Sequence, residues 1–205
     1  MTRKRLSDAG PGREPTASRS AGAEGPLRRK VDRDGLARDL VAAAVLRGTF
    51  TLRSGQTSSY YIDKYRLTTE PGLLSRITDR LAEMVPEGIE RVAGTALGAV
   101  PLATALSLAT GLPSVFVRVD AAKDHGTGKS IEGRLDAGDR VALVEDVVTT
   151  GGASLTAVEL LNAAGAQVVA VIAVVDREEG GRERFVDAGI SFRPLFTVTE
   201  LGIGD

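Results

Sequence analysis

The apolar residues of this chain change period along its length, and each change marks an element. Leu36, Leu40 and the pair Ala44-Val45 recur at helical spacing behind Asp32 and Asp34, acids suited to a helix start. Gly48 stands where a last turn closes, so the spacing predicts a first helix over about 33–47. Phe50-Thr-Leu-Arg-Ser-Gly55 and Ser58-Ser-Tyr-Tyr-Ile-Asp63 then alternate around a glycine turn and predict a short hairpin. After Thr69-Glu-Pro71, Leu73, Leu74, Ile77, Leu81 and Met84 fall on one face and predict a second helix, ended by Pro86. From there strands (about 90–94, 114–118, 140–145, 167–175 and 191–197) alternate with helices (about 99–110, 152–164 and 180–188). The run Val168-Val-Ala-Val-Ile-Ala-Val-Val175 suits a strand buried on both faces. The pattern predicts an α/β fold, a parallel sheet covered by helices on both sides.

Composition narrows the class. The chain has 205 residues, enough for one ordinary domain, and no cysteine, which excludes disulfides and thiolate metal sites. Its longest apolar runs fall far short of the ~20 residues of a membrane helix, so a soluble, cytoplasmic protein is expected. The net charge of -1 hides an asymmetry. Residues 1–30 carry eight basic and three acidic side chains, and the rest carry 18 and 24. That segment is rich in glycine and proline and lacks an apolar period, so a disordered basic tail is expected, followed by one domain over 31–205. It has no apolar stretch of a signal peptide, and Asp8, Glu14 and Glu24 argue against a transit peptide. No membrane or nucleic-acid partner is expected.

The chemistry concentrates in Val141-Ala-Leu-Val-Glu-Asp-Val-Val-Thr-Thr-Gly-Gly-Ala-Ser154. Four apolar residues end in Glu145-Asp146, where the strand should leave the sheet, and a Thr- and Gly-rich turn opens the next helix. Ligands of open α/β sheets sit beyond the carboxyl ends of the strands. Glycines let a backbone approach a phosphate, and the N–H groups of a helix start point at it. Adjacent carboxylates repel anions but accept hydrogen bonds from hydroxyls. A ribose 5-phosphate satisfies both halves of the segment; a capped turn between strand and helix is the plainer alternative. The lysine of a P-loop and the glycine spacing of a dinucleotide site are both absent.

The segment 141–154 resembles the signature of the type I phosphoribosyltransferases. The resemblance implies a central parallel sheet flanked by helices with a small N-terminal hood, here about 31–66. It implies that Glu145 and Asp146 bind the ribose hydroxyls of phosphoribosyl pyrophosphate, with Asp146 among the catalytic residues. It also implies that Val147, Val148, Thr149, Thr150, Gly151, Gly152 and Ala153 surround the 5′-phosphate. Further segments are similar to the orotate phosphoribosyltransferase family. Arg53 stands where that family contacts pyrophosphate, and Tyr60 and Tyr61 where an aromatic pair lies over orotate. Gly94-Thr-Ala-Leu-Gly-Ala-Val-Pro101 resembles the pyrophosphate loop, with Leu97 and Gly98 in contact; some members carry lysine where Gly98 stands. Arg177, in Asp176-Arg177-Glu-Glu-Gly-Gly181, and Thr149 are implied orotate contacts.

The stretch Arg118-Val-Asp-Ala-Ala-Lys-Asp-His-Gly-Thr-Gly-Lys129 resembles the family's catalytic loop. Lys123 and His125 take its catalytic positions, and Arg118 a place at the pyrophosphate. Val119 replaces a lysine of the family pattern, and one extra residue precedes Lys123. The resemblance further implies Mg²⁺ on the pyrophosphate, with no metal-ligating residue of the chain assigned. It also implies a homodimer in which loop 118–129 completes the neighbour's site, and a product, orotidine 5′-monophosphate, on the route to UMP. Two alternatives accompany this reading. One is a weakly catalytic relative that binds nucleotide or phosphoribosyl pyrophosphate as a regulator; the other is a transferase for another heterocycle.

Overall fold

A computed structural model of the chain describes residues 32–51, 57–119 and 129–203, and all of these belong to one compact unit, Val31–Asp205. The first helix, α1 (Arg33–Ala44), is capped by Asp32, whose side chain accepts from the Asp34 N–H at 3.2 Å. It buries Leu36, Leu40 and Ala44. It stops three residues earlier than the periodicity predicts, because Val45 enters strand β1 (Val45–Thr51) and pairs with Ile62 of β2 (Thr57–Ile62). Gly48 therefore lies inside a strand and closes no helix. The antiparallel β1–β2 hairpin is longer than expected, and its cross-strand pairing overrides the helical spacing of Val45. A short helix that the periodicity does not predict follows: α2 (Lys64–Thr69), capped by Asp63, with Leu67 in the core. Helix α3 (Pro71–Met84) starts on proline and buries Leu73, Ile77 and Leu81, as the apolar stripe requires.

The remaining elements are β3 (Arg91–Thr95), α4 (Val100–Thr110), β4 (Ser114–Val117), β5 (Ile131–Glu132), β6 (Arg140–Val148), α5 (Gly152–Ala163), β7 (Gln167–Asp176), α6 (Gly181–Asp187) and β8 (Ser191–Thr197). The sheet order is β5-β4-β3-β6-β7-β8, parallel except for β5, which pairs antiparallel with β4. Two residues of β5 in the predicted loop to 133 are the only unforeseen strand among the described residues. Side-chain alternation divides the core into two layers. Ala142, Val144, Ile172 and Val174 pack with α1, α3 and α4, while Leu143, Val171 and Ala173 pack with α5 and Phe185 of α6. The run 168–175 is thus buried on both faces. The chain leaves β3 toward β4 on one side and reaches β6 on the other. The strand order therefore reverses between β3 and β6, and a crevice opens at their carboxyl ends. Among the described residues no helix is long and apolar enough to cross a membrane.

Candidate active site

Strand β6 runs three residues beyond its predicted end, so Glu145 and Asp146 are strand residues and not the start of a loop. The correction matters because neighbours in a strand point to opposite faces. Glu145 pairs with Ala173 and shares its face, toward α5. Asp146 turns to the other face, where the Nζ of Lys64 at the start of α2 lies 3.4 Å from its Oδ2. The two carboxylates flank the crevice from both sides of the sheet.

Both acids are buried, and both keep an unused oxygen. Glu145 Oε1 and Asp146 Oδ2 have no hydrogen-bond partner, and neither does Thr95 Oγ1 at the end of β3. Burial pushes the Glu145 carboxyl up to about 7; the hydroxyls of Thr95 and Ser154 and the charge of Lys64 oppose the rise, and Asp146 adds to it. Asp146 spends Oδ1 on the N–H of Val147 at 2.6 Å. Buried polar atoms left unmatched are costly, and both acids are open to hydroxyl donors.

The turn after β6 is shaped by glycine. Gly151 adopts a left-handed conformation (φ 72°) and caps α5 without a side chain, leaving the first N–H groups of that helix facing the crevice. Arg184 donates to Thr150 O at 2.9 Å and holds the turn from α6. Gly181 is the position on which α6 leans: a Cβ there would lie 2.7 Å from Thr149 O and 2.8 Å from Val148 Cγ1. Gly181→Ala is expected to lower stability by about 1–3 kcal/mol through overpacking and to weaken binding of ribose 5-phosphate by displacing the turn. Thermal unfolding and calorimetric titration check the two effects; an unchanged midpoint with unchanged affinity would refute this packing.

Arg177 forms another wall. Its backbone N–H donates to Val148 O at 2.8 Å, which ties the end of β7 to the turn. Its guanidinium is 5.1 Å from the ring centroid of Tyr60 and pairs with Glu179 at 2.8 Å, with side-chain exposure of only 10%. Its Nε has no acceptor. The segment behind it is braced: buried Asp176 accepts from the Glu178 N–H at 2.9 Å, and Glu178, at a left-handed φ of 58°, accepts from both the hydroxyl and the N–H of Thr199. Those two bonds, the hydroxyl first, hold the Glu178 carboxyl below its ordinary range. A non-glycine residue held in this conformation marks a backbone kept in place by its surroundings.

The crevice encloses about 1040 Å³. It gathers Gly98, Glu145, Asp146, Val147, Val148, Thr149, Thr150, Gly151, Gly152, Ala153, Tyr61 and Arg177, all expected from the sequence. The two tyrosines separate. Tyr60 is buried beneath Arg177, whereas Tyr61 is exposed on the crevice wall and packs 5.6 Å from Phe50. Tyr60 lies against the arginine, and Tyr61 is the ring on the crevice wall. Arg118 faces Glu132 at 3.8 Å, and Leu97 is 65% exposed; neither lines the crevice, although Val119 does. Arg53, Lys123 and His125 lie outside the described residues. Lys64, Thr95 and Glu179 were not singled out by sequence reasoning. Lys64 opens α2 and carries no motif of its own, and Thr95 lies within the segment 94–101, where the contacts were expected at Leu97 and Gly98.

Comparison with known proteins agrees with this geometry. The family described as phosphoribosyl transferase domain matches residues 72–191, from α3 to the start of β8. Orotate phosphoribosyltransferase of Thermococcus kodakarensis is 50% identical over 161 residues, which cover 77% of this chain and 86% of the relative. That of Nocardioides sp. is 45% identical over 166 residues, 81% of this chain and 92% of the relative. The crystal structure of Mycobacterium tuberculosis orotate phosphoribosyltransferase in complex with Fe(III) dicitrate superposes with a TM-score of 0.73 at 37% identity, over 83% of this chain and 98% of that one. The same protein in complex with 5-phospho-alpha-D-ribosyl 1-diphosphate gives 0.70 at 35% identity, with the same coverage. By its sheet, its crevice and these relatives, the chain belongs to the orotate phosphoribosyltransferase family of the phosphoribosyl transferase domain.

Proposed function

We propose that this protein transfers the ribose 5-phosphate of phosphoribosyl pyrophosphate to orotate, releasing pyrophosphate. The observation that carries the reading is the pair of buried, underused carboxylates on opposite faces of β6, set between a glycine-shaped phosphate turn and a buried arginine. The related Mycobacterium tuberculosis protein forms a crystalline complex with the same phosphoribosyl donor, which supports it. In the reaction the bond from ribose C1 to the pyrophosphate oxygen breaks, and its electron pair leaves with the pyrophosphate. A ring nitrogen of orotate bonds to C1 and gives up its proton. Glu145 and Asp146 hold the ribose hydroxyls, and the N–H groups at the start of α5 hold the 5′-phosphate with Thr149 and Thr150. Arg177, set on Tyr60, takes the orotate carboxylate, and Tyr61 offers a ring at the crevice wall.

Mg²⁺ fits this site as a companion of the pyrophosphate. Among the described residues no group of three or more His, Asp or Glu gathers to hold an ion, so the substrate's own oxygens would hold it. When bound it would neutralise part of the leaving group's charge. Lys123 and His125 supply the remaining cations in this reading, from a loop that reaches into the site of a second subunit of a cytoplasmic homodimer.

The test is turnover. Loss of orotate absorbance is followed with phosphoribosyl pyrophosphate and Mg²⁺, beside Lys123→Ala. Phosphoribosyl pyrophosphate binding without turnover of orotate would overturn the enzymatic reading in favour of a binding protein. Turnover of another heterocycle alone would move the substrate and keep the transfer.

A further inference from the structure

Only two basic side chains line the crevice among the described residues, Lys64 and Arg177. They serve different ends of it. Arg177 is engaged by Glu179 and Tyr60 beside the turn after β7. Lys64 projects from the first residue of α2 to Asp146, and its Nζ is also the charge that tempers Glu145. Its side chain is 40% exposed, whereas that of Asp146 is 6% exposed, so the ammonium lies at the mouth while its partner is buried. The space it uses exists because residue 98 is glycine. A Cβ at Gly98 would stand 1.8 Å from Asp146 Oδ2 and 3.0 Å from Lys64 Nζ. No side chain at position 98 can share this volume with the pair as it stands.

The ion pair is loosely made, which is informative. Asp146 Oδ2 is within 3.4 Å of the ammonium and still has no hydrogen bond. Such a pairing screens two buried acids from each other and is easily exchanged. Lys64 Nζ is also close to the backbone of Gly98, at the side of the crevice from which a polyanion could reach it. At that position a mobile, strongly hydrated point charge suits a pyrophosphate better than a fixed fork would. Val119, at the crevice wall, contributes no charge there.

We propose that Lys64 is a pyrophosphate-binding residue of this enzyme, which exchanges its pairing with Asp146 for the pyrophosphate oxygens when substrate enters. The inference rests on the transferase reading given above. It is tested with the full-length chain by titrating inorganic pyrophosphate, phosphoribosyl pyrophosphate and ribose 5-phosphate, each with Mg²⁺, into wild type, Lys64→Met and Lys64→Arg. Loss of one charge-assisted contact predicts a roughly ten- to hundredfold weaker affinity of Lys64→Met for the two pyrophosphate-bearing ligands. Ribose 5-phosphate should bind within about threefold of wild type, on the same scale, and Lys64→Arg should recover most of the loss. An equal loss for all three ligands would overturn the proposal, because the lysine would then act only through Asp146, and so would no loss at all. Should Lys64→Met fold poorly, Lys64→Gln carries the same comparison. Orotate turnover by wild type is measured in the same buffer. A Lys64-dependent pyrophosphate affinity without orotate turnover would leave this inference standing and overturn the transferase reading. Normal turnover with a Lys64-independent affinity would do the reverse.

Discussion

Arg177→Ala is expected to raise the KM for orotate and lower kcat/KM about thirtyfold to several thousandfold, the range that follows from about 2–5 kcal/mol for truncating one partner of a buried charge pair. The guanidinium is 10% exposed, faces the Tyr60 ring and has an Nε without an acceptor, so it is oriented before any ligand arrives. A planar substrate carboxylate can engage two of its N–H groups, and lysine cannot reproduce that fork, so Arg177→Lys should recover little. The KM for phosphoribosyl pyrophosphate should move far less, because in the proposed binding mode β6 and α5 would hold the ribose and phosphate. Glu179, which occupies the arginine at 2.8 Å, competes with the substrate, and Glu179→Gln should shift the orotate KM downward. Steady-state kinetics with each substrate varied in turn measures all of this. An Arg177→Ala enzyme with a wild-type KM for orotate would remove the arginine from the site.

The second large effect is on pH dependence. Glu145 ionises near 7 against an ordinary value of 4.5, chiefly because burial disfavours its charge. The groups that act on it are the hydroxyls of Thr95 and Ser154 and, from the other face of the sheet, the charges of Asp146 and Lys64. A carboxyl raised in the folded state contributes its stabilisation fully below the unfolded value and loses it as pH rises through the folded one. Between about 4.5 and 7 the ligand-free protein therefore gives up as much as about 3 kcal/mol through this group. Asp139, Glu178 and Glu200 shift downward and act in the opposite sense at lower pH, so the share of Glu145 is read as the difference between wild type and Glu145→Gln.

Ribose hydroxyls donate to the ionised form. Binding of phosphoribosyl pyrophosphate should therefore release a proton near neutrality, and kcat/KM for that substrate should fall close to tenfold per unit below about pH 7. Calorimetry in buffers of different ionisation enthalpy counts the proton. Glu145→Gln should abolish both the release and the acid limb while weakening affinity. A flat profile between pH 5 and 7, on the order of the window given by linkage, would show that Glu145 is ionised throughout.

Local pattern was informative wherever a residue's role follows from its neighbours in sequence. The continuous apolar runs of β3, β6 and β7, the stripe of α3 and the Gly-rich turn before α5 each rest on pattern and turn chemistry, and each was legible from the residues alone. So was the motif 141–154, since a strand end, two acids and a glycine turn are contiguous. Other features depend on partners distant in sequence. α1 ends at Ala44 because Val45 pairs with Ile62, and β6 carries its acids on opposite faces because it stays hydrogen-bonded to β7 through Val148. Tyr60 and Tyr61 are adjacent and chemically equal, and only hairpin register buries one under Arg177 and exposes the other. Lys64 sits 82 positions from Asp146 in the chain, and α2 brings it within 3.4 Å. Order and spacing of residues were enough for the layered α/β class and for the segment that lines the crevice. Tertiary packing settled which charges face the crevice, because burial and pairing across long separations arise only when the sheet and its helices close around them.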